Sequence, residues 1–224
     1  MDKLTDVDSW RWYSEIGGMG KLSVTTILSN AVANIQLNSW FKKTSEKKIA
    51  TTVQKAADFS TLSHEYFEKI LKGVDFEVPE THRSHITNFR KWVLDNNVKA
   101  LHTEITVTSD KYGYCGTIDC IASIGDEVCV IDWKTGNRYS ITNGYQLAAY
   151  RQAAIEMGLI DDKSAMMGVQ IARGTAEIKT FKYEHIEFCL QKFLCALEIF
   201  KGLYFHKLLK LDWKWLKEQA LRIV

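Results

Sequence analysis

The chain has 224 residues, 46% hydrophobic and 25% charged, with a formal net charge of +2 at neutral pH. This is the composition of a globular protein of one sizeable domain; it excludes a disordered chain and a low-complexity linker protein. The charge is too small to demonstrate a polyanionic partner, and no apolar run reaches the length needed to cross a bilayer, so no membrane role is expected.

The opening Met1-Asp2-Lys3-Leu4-Thr5-Asp6 lacks the apolar stretch of a secretory signal and is too acidic for a mitochondrial transit peptide. A cytoplasmic location, in a bacterium or a phage-infected host cell, is expected, or an organellar one after removal of a transit segment. Residues 24–34 and 37–58 carry apolar positions at helical spacing, and 60–72 reads as a further helix starting near Ser60 or Thr61 and closed by Gly73. Pro79-Glu80 is placed to open a helix running to about Asn97. The periodicity then changes. Residues 100–109, 114–124 and 127–134 read as strands, with Gly125-Asp126 as the turn between the last two. Residues 143–157 return to helix and end at Gly158. Two strands are predicted at 165–172 and 176–182, joined at Gly174, and helix over 184–222 with a break near Leu211-Asp212. The fold class that follows is α+β: a mixed α/β core, with a mixed sheet of about five strands, inside a helical wrapper.

Five cysteines, an odd number with no CxxC spacing, predict buried reduced thiols rather than a disulfide framework or a cysteine-only zinc site. Lysines cluster at Lys42, Lys43, Lys47, Lys48 and Lys55, and again at Lys201, Lys207, Lys210, Lys214 and Lys217. Such clusters are ordinarily solvated helix faces, and a phosphate-tracking role is the minority reading on charge alone.

The central hairpin carries the chemistry. Alternate residues of a strand share a face, so Asp132 and Lys134 point one way and Ile131 and Trp133 the other. A two-residue turn at Gly125-Asp126 sets Ile124 opposite Glu127, Ile121 opposite Val130, Asp119 opposite Asp132 and Thr117 opposite Lys134. Ile118, Cys120, Ala122 and Ile124 then fall with Cys129, Ile131 and Trp133 on one apolar face, which supports the register. Two directly opposed carboxylates lie about 5 Å apart at Cβ and repel each other unless a cation sits between them. A hard dication such as Mg²⁺ accepts such oxygen ligands. The alternative at this point is an exposed hairpin face on which Asp, Asp and Lys form mutual ion pairs. Glu104 faces Asp119 if 110–113 is a four-residue connection. Gln146 and Tyr150 are four apart on the next helix and share a face, as do His64 and Glu68 on an earlier one. A lone histidine is more often a structural group than a ligand.

Gly116-Thr117-Ile118-Asp119, then Val130-Ile131-Asp132-Trp133-Lys134-Thr135, then Gln146-Leu147-Ala148-Ala149-Tyr150 resembles the RecB-like branch of the PD-(D/E)xK nucleases. That branch has a G-x-x-D strand, a (D/E)-x-K strand and a Q-x-x-x-Y helix in this order. Leu22-Ser23-Val24-Thr25-Thr26-Ile27-Leu28 and Arg11-Trp12-Tyr13 are similar to the opening of the mitochondrial genome maintenance exonuclease family and its phage and bacterial relatives, with Leu22 where the family signature has proline.

The resemblance implies a restriction-endonuclease-like core within one nuclease domain. In it, 1–98 is mainly a helical wall or arch, 99–183 the catalytic core and 184–224 the C-terminal helices. It implies Asp119, Asp132 and Lys134 as catalytic residues. Metal ligands would be His64, Asp119, Asp132, the backbone carbonyl of Trp133 and, least securely, Glu104. DNA would meet Gln146, Tyr150, Lys42, Lys43 and Arg138. The implied cofactor is Mg²⁺ or Mn²⁺. Some relatives carry an iron–sulfur cluster on one upstream cysteine and a C-terminal trio; this spacing is missing here, so no cluster is expected. The implied activity is a DNA exonuclease preferring single strands or free ends, in replication, repair, recombination or phage DNA processing, with other replication or recombination proteins as partners. The alternatives are a flap endonuclease on the same site and an inactive nucleic-acid-binding module.

Overall fold

The computed structural model describes residues 2–7, 10–14, 21–32, 42–136, 140–171 and 178–204. Its strands are β1 (Asp2–Val7), β2 (Trp10–Ser14), β3 (Lys21–Ser23), β4 (Lys99–Ser109), β5 (Tyr114–Ile124), β6 (Glu127–Lys134), β7 (Ala165–Ile171) and β8 (Ile178–Lys182). The helices are α1 (Val24–Ala31), α2 (Glu46–Leu71), α3 (Arg83–Asp95, entered by a 3₁₀ turn at Glu80–His82), α4 (Thr142–Glu156) and α5 (Ile186–Leu203). No helix among the described residues is long and apolar enough to cross a membrane.

All eight strands form one mixed sheet. Strands β4–β8 are the five-stranded core expected from the sequence. The three N-terminal strands extend it, within a segment expected to be mainly helical. Antiparallel β1–β2 and β2–β3 pairing leads to β3, which runs parallel to the start of β5. Strand β5 therefore has β4 along one edge, and β3 then β6 along the other. The β5–β6 hairpin has the predicted register, with Ile124 opposite Glu127 and Ile121 opposite Val130. Gly125 supplies the turn's positive φ of 60°, at the first central position as a type II′ turn requires.

That ladder stops at Cys120–Ile131. Beyond it β6 leaves β5 and pairs in parallel with β7 through Lys134. The predicted pairs Asp119–Asp132 and Thr117–Lys134 are thus not formed, because the two strands splay. The alternation of β5 also changes phase at this point. Ile118 packs with Ile121 and Val130 in one core, whereas Cys120 and Ala122 belong to the other. The single apolar face drawn through Ile118, Cys120 and Ala122 is therefore broken. Across from Asp119, Glu104 has a φ of 48°. A non-glycine residue in the left-handed region costs about 1–3 kcal/mol and is held there only by its surroundings.

The two cores lie on opposite faces of the sheet. One contains Leu147, Ala149 and Ala153 of α4, Phe193 and Phe200 of α5, and Ile27 of α1. The other is an aromatic stack joining α2 and α3 to β6. Phe67 stacks on Phe89 at 4.1 Å, and Trp133 meets Phe89 edge-on at 5.0 Å and Trp92 at 5.5 Å. Trp133 thereby anchors β6 and turns Asp132 and Lys134 to the opposite face.

Helix α2 is one continuous element where a break between 58 and 60 was expected. Its hydroxyl residues do not cap a new helix. Ser63 Oγ instead donates to the Phe59 carbonyl one turn back, at 2.8 Å. Nearly every residue from Glu46 to Asp58 is exposed, so the first half of α2 stands off the body. Helices α1 and α5 begin where or near where the sequence places them; the rest of their predicted spans, 33–34 and 205–222, lies outside the described residues, as does Gly174. Four cysteines are buried as expected, but Cys195 is exposed, on the outer face of α5.

Candidate metal centre and active site

One cavity of about 500 Å³ opens where β5 and β6 separate. It is lined by Asp119, Asp132, Lys134, Glu104 and Gly116 of the sheet, His64 and Glu68 of α2, Gln146 and Tyr150 of α4, and Ser23 and Thr25 at the start of α1. Each arrives for a local reason. His64 lies one turn before the core anchor Phe67. Glu104 is turned by its positive φ. Gln146 and Tyr150 lie on the face of α4 next to the one bearing Leu147.

Asp119 is the hub. Its Oδ2 accepts the Trp133 backbone N–H at 2.7 Å, closing the gap left by the splayed ladder. Its Oδ1 lies 3.4 Å from His64 Nδ1, and Glu104 Oε1 lies 4.0 Å from the same nitrogen. His64, Glu104 and Asp119 each present a donor atom, all within 4.8 Å of one another. The N–H and C=O of one residue in a strand leave by the same edge. The Trp133 carbonyl therefore also faces the gap that holds Asp119.

Asp132 stands outside this trio. Lys134 Nζ lies 2.6 Å from its Oδ2, in an ion pair whose carboxylate is buried. Lys134 Nζ also donates to Gln146 Oε1 at 3.2 Å, and Gln146 Nε2 donates to Tyr150 Oη at 3.0 Å. The relay Asp132–Lys134–Gln146–Tyr150 thus runs from β6 to α4. Gly116 makes room for its end. A Cβ there would lie 2.3 Å from Tyr150 Cε1.

The charges are tightly interdependent. Burial pulls the His64 pKa down, but Asp119, Asp132 and Glu104 outweigh it and raise the pKa to about 9. Burial pushes Asp132 up to about 6, with the Asp119 charge adding to it and Lys134 opposing. Burial acts the same way on Asp119, but His64, Lys134 and the Trp133 N–H hold its pKa below the usual carboxylate range. Lys134 stays protonated: burial opposes its charge, and Asp132 and Asp119 more than offset that. Without a metal, the His64 imidazolium and the Lys134 ammonium are thus the cations beside the three carboxylates.

This donor set fits a hard divalent cation. It offers two carboxylate oxygens and an imidazole nitrogen at mutual ligand spacing, in the cavity that the Asp132 carboxylate also lines. Of the other DNA-binding candidates, Lys42 and Lys43 are exposed just before α2, and Arg138 lies outside the described residues. Thr103, which bonds to Glu68, and Gly116 were not singled out as functional from the sequence. Only the G-x-x-D spacing marked Gly116.

No protein-family model matches the chain. The chain is 30% identical over 96 residues to mitochondrial genome maintenance exonuclease 1 of Xenopus tropicalis, covering 39% of this chain and 27% of that one. It is similar in sequence to an exonuclease. This agrees with the motif resemblance to RecB-like PD-(D/E)xK nucleases, over a match that spans about a quarter of the relative's length. Among solved structures, the alkaline exonuclease LHK-Exo from Laribacter hongkongensis shares 9% identity at a TM-score of 0.47, covering 91% of this chain and 95% of that one. SSO0001 shares 16% identity at a TM-score of 0.46, covering 85% and 79%. Both scores are below one half, so neither likeness bears on function.

Proposed function

We propose that the chain is a Mg²⁺- or Mn²⁺-dependent nuclease that hydrolyses DNA phosphodiesters, acting as an exonuclease on single strands or free ends. The observation that carries this reading is the convergence in one cavity of the His64–Glu104–Asp119 trio and the Asp132–Lys134–Gln146–Tyr150 relay. His64, Glu104, Asp119 and the Trp133 carbonyl would hold the cation, with Asp132 completing its surroundings. When bound, that ion supplies positive charge for phosphate oxygens and a lowered pKa for water.

The protein's own groups supply the rest. Lys134 is an ammonium held between Asp132 and Gln146. It is suited to orient water and to offset charge developing on the phosphate, rather than to act as a general base at neutral pH. Gln146 fixes the lysine and is in turn fixed by Tyr150. Asp119 and Glu104 repel phosphate unless their charge is neutralised, which makes cleavage conditional on the metal. The exposed Lys42, Lys43, Lys47, Lys48 and Lys55 ahead of and along the first half of α2 supply a basic path for a strand approaching the cavity.

The test is digestion of end-labelled single-stranded, double-stranded and closed circular DNA with Mg²⁺ or Mn²⁺. Release of short products from labelled linear strands, blocked by EDTA and by Asp132→Ala or Lys134→Ala, is expected. Cleavage that survives EDTA or both substitutions refutes the reading, and cutting of closed circles converts it to an endonuclease.

A further inference from the structure

Helix α2 carries His64, strand β4 Glu104 and strand β5 Asp119, so the trio spans three separate elements. A side-chain hydrogen bond joins α2 to β4 beside the site: Thr103 Oγ1 donates to Glu68 Oε1 at 3.3 Å. Glu68 is one helical turn after His64, and Thr103 immediately precedes Glu104, whose φ is 48°. The same Glu68 oxygen lies 2.6 Å from Lys72 Nζ, one turn further along the helix. Glu68 is outside the trio, yet it is held on both sides.

We propose that Glu68 and Thr103 are positioning residues that set the separation of His64 and Glu104 and so tune the affinity for the divalent cation. The physical case is leverage. Glu104 adopts a backbone conformation that a glutamate resists, so its carboxylate stays in the cavity only while neighbouring groups hold β4 in place. The Glu68–Thr103 bond holds the adjoining residue against the helix that supplies the other ligand. Lys72 fixes the Glu68 rotamer and limits the freedom lost when the bond forms. Groups hydrogen-bonded directly to metal ligands change metal affinity about 10- to 100-fold when removed, and Glu68 and Thr103, one step further out, belong at the low end of that range.

This inference rests on reading the trio as a metal centre, so the measurement is metal binding itself. Mn²⁺ affinity is determined by electron paramagnetic resonance titration, with thermal unfolding of the metal-free protein as the control for folding. Thr103→Val, which keeps shape and charge but removes the donor, is expected to weaken Mn²⁺ binding about tenfold. Thr103→Ser is expected to restore it, and Glu68→Ala to match Thr103→Val. The double variant is expected to bind no more weakly than either single one. Wild-type affinity in Thr103→Val, or losses that add in the double variant, overturns the proposal. Absence of Mn²⁺ binding in the wild type instead overturns the metal-centre reading beneath it.

Discussion

Replacing Gly116 by alanine tests the relay without touching any charged group. The added Cβ would sit 2.3 Å from Tyr150 Cε1, where ordinary contact starts at 3.4 Å, so about 1.1 Å must be found. Tyr150 has little freedom to yield. It is 4% exposed and packs in the core that joins α4 to the sheet. Overpacking of this kind costs about 1–3 kcal/mol of stability. The functional cost is of similar size, since Tyr150 Oη holds Gln146, which holds Lys134. A displacement of about 1 Å in a catalytic group can cost on the order of 100-fold in rate. The assay is single-turnover cleavage of a labelled strand at saturating Mg²⁺, with Mn²⁺ affinity measured in parallel. Gly116→Ala should lose about two orders of magnitude in rate, with metal affinity nearly unchanged because Gly116 touches none of the trio. Combining it with Tyr150→Ala should cost little beyond either substitution. Wild-type cleavage by Gly116→Ala, or fully additive losses in the pair, would refute the relay.

Metal-free protein should lose stability between pH 6.5 and about 9. His64 is protonated in the fold with a pKa raised from 6.5 to about 9, so its contribution is complete below 6.5 and is lost as pH rises through 9. Unfolding in EDTA should show this slope, and His64→Ala should flatten it. Mn²⁺ binding near pH 7.5 should release close to one proton, as His64 must give up its own to become a ligand; calorimetry in buffers of differing ionisation enthalpy would reveal a binding step with no proton release if this is wrong. Saturating Mn²⁺, at about 100 times its Kd, should stabilise the fold by about 2.7 kcal/mol, and Asp119→Asn should abolish that gain in thermal shift. Lys134→Ala should keep Mn²⁺ affinity while reducing cleavage at least 100-fold, roughly the loss seen when a charge-stabilising donor is removed; equal losses of binding and rate would place the lysine's role in the metal site instead.

The hairpin was the most legible part of the sequence. Gly125-Asp126 and the alternation around it fixed the register of β5 and β6, because a slip of one residue would expose the core. The same logic misled at Asp119, since alternation assumes a continuous ladder and β6 leaves β5 just there. The direct Asp119–Asp132 opposition gave way to two linked clusters, one on Asp119 and one on Lys134. Glu104, the least secure candidate on sequence, lies within the trio because its φ of 48° turns it, and no local pattern announces a glutamate in that conformation. The three N-terminal strands were missed because β3 is only three residues long and pairs with a strand some 90 positions away. Helix α2 looked divided because serine and threonine at 60 and 61 imitate a cap. Propensity cannot tell a cap from a serine or threonine inside a continuous helix.

Crystals of Lys134→Ala grown with Mn²⁺ and a short single-stranded DNA would test the central claim most directly. An anomalous Mn²⁺ peak within ligand distance of His64, Glu104 and Asp119, with a backbone phosphate beside it on the side of residue 134, is predicted. A peak elsewhere, or a strand bound away from the cavity, would contradict the assignment of this site as a DNA-cleaving centre.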